Sequence, residues 1–217
     1  MASTLPRARL RVEIVSDVVC PWCLIGTRHL ELALAAAHEA DAEIVFRPFL
    51  LDPTTPSEGE DLRGRLRRKY GNPDAMFARV EAAARQSGIA LDFSRVRRAV
   101  STVRAHTLLR HAIARGTQVG LAKALFSAYF LDGQDVSDPA LLAPLASQYG
   151  FDEAEAARLL VDDAELESTR READAAARKG ISGVPFTLVG GVHAVAGAQP
   201  VEAFRKAIER ARLDAPL

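Results

Sequence analysis

The chain holds two cysteines, and both stand in one tetrapeptide, Cys20-Pro21-Trp22-Cys23. Two thiols so spaced can exchange with a disulfide, supply half a metal site, or close a small ring. The flanks favour exchange. The run Val12-Glu13-Ile14-Val15 is β-branched and alternating, as a strand is. Beyond Trp22, apolar residues return at helical spacing: Leu24, Ile25, Leu30, Leu32 and Leu34. A strand that ends at Cys-x-x-Cys and runs straight into a helix puts Cys20 at the helix N-terminus. There, unpaired N–H groups and the positive end of the macrodipole favour a thiolate over a thiol. Pro21 suits the first helical position, where a fixed φ helps and a missing N–H costs nothing. Cys20 is the candidate nucleophile, and Cys23, one turn further in, the candidate resolving thiol.

The other two uses fit less well. A zinc site needs two more ligands, and there is neither a second CxxC nor a His-x-x-x-His, so no metal is expected. His29 lies six residues past Cys23, about one and two-thirds turns along the same helix, and points away. A structural disulfide closing so short a loop gains little entropy.

At 217 residues and 48% hydrophobic, the chain can bury a large core. Lysine plus arginine and aspartate plus glutamate both number 28, so no net field draws it to nucleic acid or an anionic membrane. The basic run from Arg63 to Lys69 reads as a solvated helix face. The segment Met1 to Arg9 has no apolar stretch of the signal-peptide kind, and the apolar run Leu30–Ala37 is broken by Glu31. The expected location is cytoplasmic. A reducing compartment suits a catalytic pair better than a structural disulfide.

The cysteines need a frame, and three segments supply one. Residues 9–58 read as strand (Leu10–Ser16), helix (Pro21 to about Glu39) and strand (Glu43–Phe49), closed by the breaker-rich Asp52-Pro53-Thr54-Thr55-Pro56. Residues 59–179 read as helix almost throughout, with turns at Gly71-Asn72-Pro73-Asp74, Ser87-Gly88, Asp132-Gly133 and Asp138-Pro139. Residues 180–213 read as a two-residue Gly190-Gly191 hairpin between Phe186–Val189 and Val192–Val195, then an amphipathic helix from Pro200 to about Arg212. A lone hairpin is marginal and a βαβ unit needs further strands. Together they predict an α/β fold: a four-stranded sheet interrupted by an all-helical insertion.

Several ordered motifs then carry a resemblance. Cys20-Pro21-Trp22-Cys23 behind Ser16-Asp17, Gly183-Val184-Pro185, and Gly197-Ala198-Gln199-Pro200 resemble the DsbA superfamily of thioredoxin-fold proteins, in its FrnE-like branch. Arg47-Pro48-Phe49, Lys69-Tyr70-Gly71, Ala105-His106 and Ala128-Tyr129-Phe130 extend the likeness from about Val12 to Phe204. The resemblance implies a thioredoxin fold with a helical insertion and thiol–disulfide oxidoreductase activity. It implies a cis Pro185 across from the cysteines, with Val184 offering backbone groups to an extended substrate. No cofactor is implied, with glutathione as a candidate redox partner. The chain departs from the pattern at Phe186-Thr187, where a small or hydroxylated residue is expected first, and at Ser101-Thr102, where asparagine-threonine is.

No cation stands between the cysteines, so the potential is expected nearer the reducing or isomerase range than that of a strong oxidant. Pro21, Trp22, Val184, Phe186 and His106 are the candidate substrate-binding residues. Trp22 is expected as an exposed apolar contact, and His106 as either a hydrogen-bonded packing residue or a site residue. Asp17 either ties the loop or accepts a proton from Cys23, and Arg110 and His111 read as a solvated face. Disulfide- or dithiol-containing proteins or small molecules are the expected partners, and the oligomeric state is open. Two rival functions share these features. One is a glutathione-dependent isomerase or transferase of the kappa or 2-hydroxychromene-2-carboxylate isomerase type, which typically carries serine at the Cys20 position. The other is a non-catalytic holdase using an apolar groove around Trp22 and Phe186.

Overall fold

In the computed structural model, residues 8–214 are described, so Met1–Arg7 of the N-terminal segment read above lie outside them. The first strand, β1 (Arg11–Ser16), buries Val12, Ile14, Val15 and Ser16 and leads into α1 (Pro21–Ala36). Helix α1 stops earlier than its apolar pattern suggests. His38 takes φ 56°, a left-handed turn, and the Glu39 N–H reaches back to Leu34 O at 2.9 Å, closing the helix end so that the chain can reverse. Strand β2 (Glu43–Pro48) then lies parallel to β1, Val12 opposite Ile44.

The segment expected to be all helical is nearly so. A two-residue ladder joins β3 (Glu60–Asp61) to β4 (Arg98–Ala99), and between them lie α2 (Leu62–Tyr70) and α3 (Asp74–Gln86). Helices α4 (Val103–Arg115), α5 (Gln118–Phe130), α6 (Pro139–Ser147), α7 (Glu153–Leu159) and α8 (Asp163–Arg178) follow. Aspartates start four of them: the side chains of Asp61, Asp138, Asp152 and Asp162 accept from first-turn N–H groups of α2, α6, α7 and α8. Arg110 and His111 do not form a solvated face. Arg110 donates to Glu172, Thr169 and Ser168, and His111 contacts Glu165, so a polar seam joins α4 to α8.

Strands β5 (Phe186–Val189) and β6 (His193–Ala196) complete a sheet of order β2-β1-β5-β6, with β5 antiparallel to both neighbours. The hairpin loop is one residue longer than expected, because Val189 pairs with His193 and leaves Val192 exposed. Gly190 has φ 62°, and a Cβ there would meet the Ala211 Cβ at 2.7 Å. That methyl belongs to the last helix, α9 (Val201–Leu213), which packs with α1, β5 and β6. The outer edge of β2 is covered rather than open: Gln118, buried at the start of α5, accepts from Phe46 N–H and donates to Phe46 O and Leu109 O. The result is a mixed α/β thioredoxin fold interrupted by a helical insertion.

Candidate active site

Cys20 is the N-cap residue of α1, with extended backbone (φ −92°, ψ 112°), and Pro21 follows in the first turn. Its carbonyl accepts from Cys23 N–H at 3.0 Å and Leu24 N–H at 3.3 Å, while its own N–H is held by Asp17 O at 3.0 Å. The loop from β1 is thereby locked onto the helix start. The two cysteines are free thiols. Both are buried, Cys20 at 3% exposure and Cys23 at 0%, so Cys20 is less open to solvent than its helix-end position alone implies. Their difference lies in what they face: Cys20 borders a cavity of about 400 Å³ and Cys23 does not. Burial pushes the Cys23 thiol well above its usual value and the neighbouring Cys20 pushes it further. The Ser16 hydroxyl and the Asp17 backbone pull it back only in part.

Across from the cysteines, the Val184–Pro185 peptide bond is cis, and Cys20 Sγ lies 3.8 Å from Val184 O. Pro185 is packed onto α1 at Gly26, where an added Cβ would meet Pro185 Cγ at 2.9 Å and Ala198 Cα at 3.5 Å. The Gly197-Ala198-Gln199-Pro200 motif belongs to the same contact. Gly197 N–H donates to Pro185 O at 2.7 Å, and His29, which does point away from the cysteines, contacts Gln199 O and Ser87 Oγ.

The helical insertion roofs the cavity. Beside Pro21, Trp22 and Val184, its walls include Leu62, Leu66, Met76, Phe77, Val80 and Phe130. Phe77 and Phe93 stack at 4.3 Å between centroids, and Phe130 meets Phe93 edge-on. Three expectations change here, and one open alternative narrows. Trp22 is half-buried against the core and lies under the Arg79 guanidinium, 5.8 Å from the ring centroid, because the insertion gives it a wall to pack on. Phe186 sits in β5, opposite Ala196, and does not border the cavity. His106, read as packing or site residue, is buried and does not line the cavity, its Nε2 standing 3.3 Å from Asp17 Oδ1, which fits the packing alternative. The basic run is not simply a solvated face: Arg65 and Lys69 turn toward the cavity, and Arg65 is paired with Asp52 and Glu60.

Asp17 itself borders the cavity, but its carboxylate is committed to Leu51 N–H at 2.8 Å and to His106. The Tyr129 hydroxyl donates to Arg98 O at 2.8 Å. Burial, then the charges of Asp17 and Asp135, push its ionisation far above the usual tyrosine range. Val100, Thr102, Met76 and Tyr129 are wall residues that motif reading passed over. Only Tyr129, inside Ala128-Tyr129-Phe130, and Thr102, beside a departure from the pattern, carried any signal. Among the described residues, no cluster of three or more His, Cys, Asp or Glu could hold a metal ion.

Residues 11–209 match the family described as the DSBA-like thioredoxin domain. The chain belongs to that family. Among solved DsbA-like structures, a probable DsbA oxidoreductase, SCO1869 of Streptomyces coelicolor, is 35% identical, with a TM-score of 0.86 over 96% of this chain and 93% of that one. A 2-hydroxychromene-2-carboxylate isomerase shares the fold at 17% identity and a TM-score of 0.64, over 92% of this chain and 95% of that one. So does the cytosolic disulfide reductase DsbM of Pseudomonas aeruginosa with GSH, at 15% identity and a TM-score of 0.61, over 94% and 96%. Membership of the DSBA-like family makes thiol–disulfide oxidoreductase chemistry the coarse reading of this site. Among the described residues, no helix is long and apolar enough to cross a membrane.

Proposed function

We propose that the protein is a dithiol oxidoreductase of reductase or isomerase type, working in the cytosol through Cys20 and Cys23. The observation that carries this reading is the asymmetry of the pair. Cys20 opens onto the cavity at a helix N-terminus, while Cys23 is sealed behind it and held as a thiol by burial. In this mechanism the Cys20 thiolate attacks a substrate disulfide. The mixed disulfide then lies against the Val184 carbonyl and Pro185, whose position Gly26 fixes. Cys23 loses its proton and attacks Cys20 Sγ, which releases the substrate thiol and leaves the enzyme disulfide. Burial makes Cys23 a poor thiolate before that point, so resolution waits until the substrate is engaged. Pro21 and Trp22 line the cavity beside Cys20, and the Val184 carbonyl faces the nucleophile. A thiol such as glutathione would return the oxidised pair to the dithiol.

The test is equilibration of the pair against reduced and oxidised glutathione, with Cys20→Ser as control. A two-electron couple at roughly −270 to −180 mV, the thioredoxin-to-isomerase range, is expected. Absence of a reversible couple would sink the reading. Glutathione-saturable isomerase turnover that survives Cys23→Ser would transfer the site to the glutathione-dependent class instead.

A further inference from the structure

The cavity makes a finer statement about what reaches Cys20, and it rests on the dithiol reading above. Attack on a disulfide needs the incoming sulfur in line with the S–S bond that breaks. Cys20 is only 3% exposed, and its sulfur is reached through a half-open cavity of about 400 Å³, a volume suited to a drug-sized molecule. A disulfide held in a folded protein must bring its flanking backbone into that cavity to reach the line, whereas a small molecule enters whole. The volume falls in the range of about 300–1,000 Å³ typical of small-molecule sites.

The chemistry of the wall narrows the class. The floor is aromatic and aliphatic, built from Phe77, Phe93, Phe130, Val80 and Val100. The charged groups on the wall are already engaged with one another. Asp17 is committed to Leu51 N–H and His106, Asp52 to Arg65 and Thr54, and Arg65 also to Glu60. Lys69 stands at the rim with its ammonium 4.0 Å from Asp52 and its side chain half exposed. Among the described residues, the cations lining the cavity are Arg65, paired with Asp52 and Glu60, and the rim Lys69, so most of the wall offers nothing to the carboxylates of a tripeptide thiol.

We infer that the substrate of the Cys20–Cys23 pair is a low-molecular-weight disulfide with a neutral, apolar body, aromatic or branched aliphatic. The Cys20 thiolate attacks one sulfur of R–S–S–R; that S–S bond breaks, one thiolate leaves and takes a proton from water, and Cys20–S–S–R forms. Cys23 gives up its proton and attacks Cys20 Sγ, and the second RS⁻ leaves. The enzyme loses two electrons and the substrate gains them, and two equivalents of a low-molecular-weight thiol restore the dithiol.

The experiment is rapid mixing of the reduced protein with 2,2′-dithiodipyridine, oxidised glutathione or insulin. Each rate is divided by that of dithiothreitol with the same disulfide to remove intrinsic reactivity. The expected result is a rate that saturates with dithiodipyridine and, after division, exceeds both others by at least about tenfold, the scale on which an apolar pocket discriminates. Val80→Trp, which fills the cavity, and Met76→Trp, at its rim and 37% exposed, should each abolish the saturation. The rim variant keeps the comparison intact if the buried one fails to fold. Linear rates in constant ratio to dithiothreitol, or insulin reduced as fast as dithiodipyridine, would overturn the inference while leaving the dithiol couple standing. Failure of every probe to oxidise the pair would instead bring down the dithiol reading and this inference with it.

Discussion

At the residue scale, the site depends on a missing side chain as much as on the thiols. Gly26 is in the middle of α1, where alanine would gain about 1 kcal/mol of helix propensity. An alanine Cβ there would stand 2.9 Å from a ring carbon of Pro185, too close for contact, and a proline ring cannot swing aside. Overpacking of this kind costs about 1–3 kcal/mol, which exceeds the propensity gain. Gly26→Ala is thus expected to lose about 1 kcal/mol net by urea denaturation and to alter the alkylation rate of Cys20 through the displaced Val184 carbonyl. A stabilised variant would show that the Pro185 loop yields freely. The cysteines and their strand–helix setting were legible in the sequence because they are local, a few residues of pattern on either side. His106 was not legible in the same way. A histidine on a half-apolar helix face looks alike whether it meets substrate or a buried carboxylate, and only the tertiary placement of Asp17 decides.

At the scale of elements, the roof of the cavity is the distinctive piece. Helix α2 has no buried residue, and Arg65 ties it to Asp52 and Glu60. Desolvation works against the Asp52 carboxylate, but hydrogen bonds from Thr54 and Arg65, and the Arg65 charge, hold it at about 2, below the ordinary 3.8. The sign follows directly. A depressed folded value means the stabilisation is complete above about pH 3.8 and is lost as pH falls toward 2. After allowance for solvent screening it amounts to about 1–2 kcal/mol. Protection factors of α2 amides, taken relative to the intrinsic exchange rate at each pH, should therefore fall on acidification through this window, and Asp52→Asn should lower them at neutral pH while leaving α4 and α5 protected. Equal protection of α2 in the wild type and Asp52→Asn would rule out this tie. Periodicity showed that α2 is a basic helix. It could not show which way Arg65 and Lys69 face, because an element without an apolar stripe gives its neighbours no sequence signature. The hairpin loop length and the end of α1 were similarly beyond pattern, each set by one left-handed residue or one shifted pair.

At the scale of the whole molecule, a sheet is split by a long helical segment and the candidate site lies where the parts meet. The flanking pieces were each too small to stand alone, which is why the interrupted sheet could be inferred from sequence; how the helices enclose the thiols could not, since contacts between helices leave no local trace. The split has a further consequence. Strand β1 is central, yet Val12 meets its antiparallel partner only at Val189, 177 residues later (189 minus 12). At about 5–20 residues per second, a ribosome needs roughly 9–35 s to make that interval. Throughout it, one side of the first strand to emerge carries unpaired backbone groups, and the β5 residues that pack beside it are still unmade. A chain ending at Gly180 reproduces that state. It should elute as aggregates in size-exclusion chromatography, whereas the full chain should not; a monodisperse fragment would mean that the helices shield β1 unaided. The same layout makes any late stop codon or translational pause a hazard out of proportion to the few residues involved, because the last strands to be synthesised are the ones that close the first.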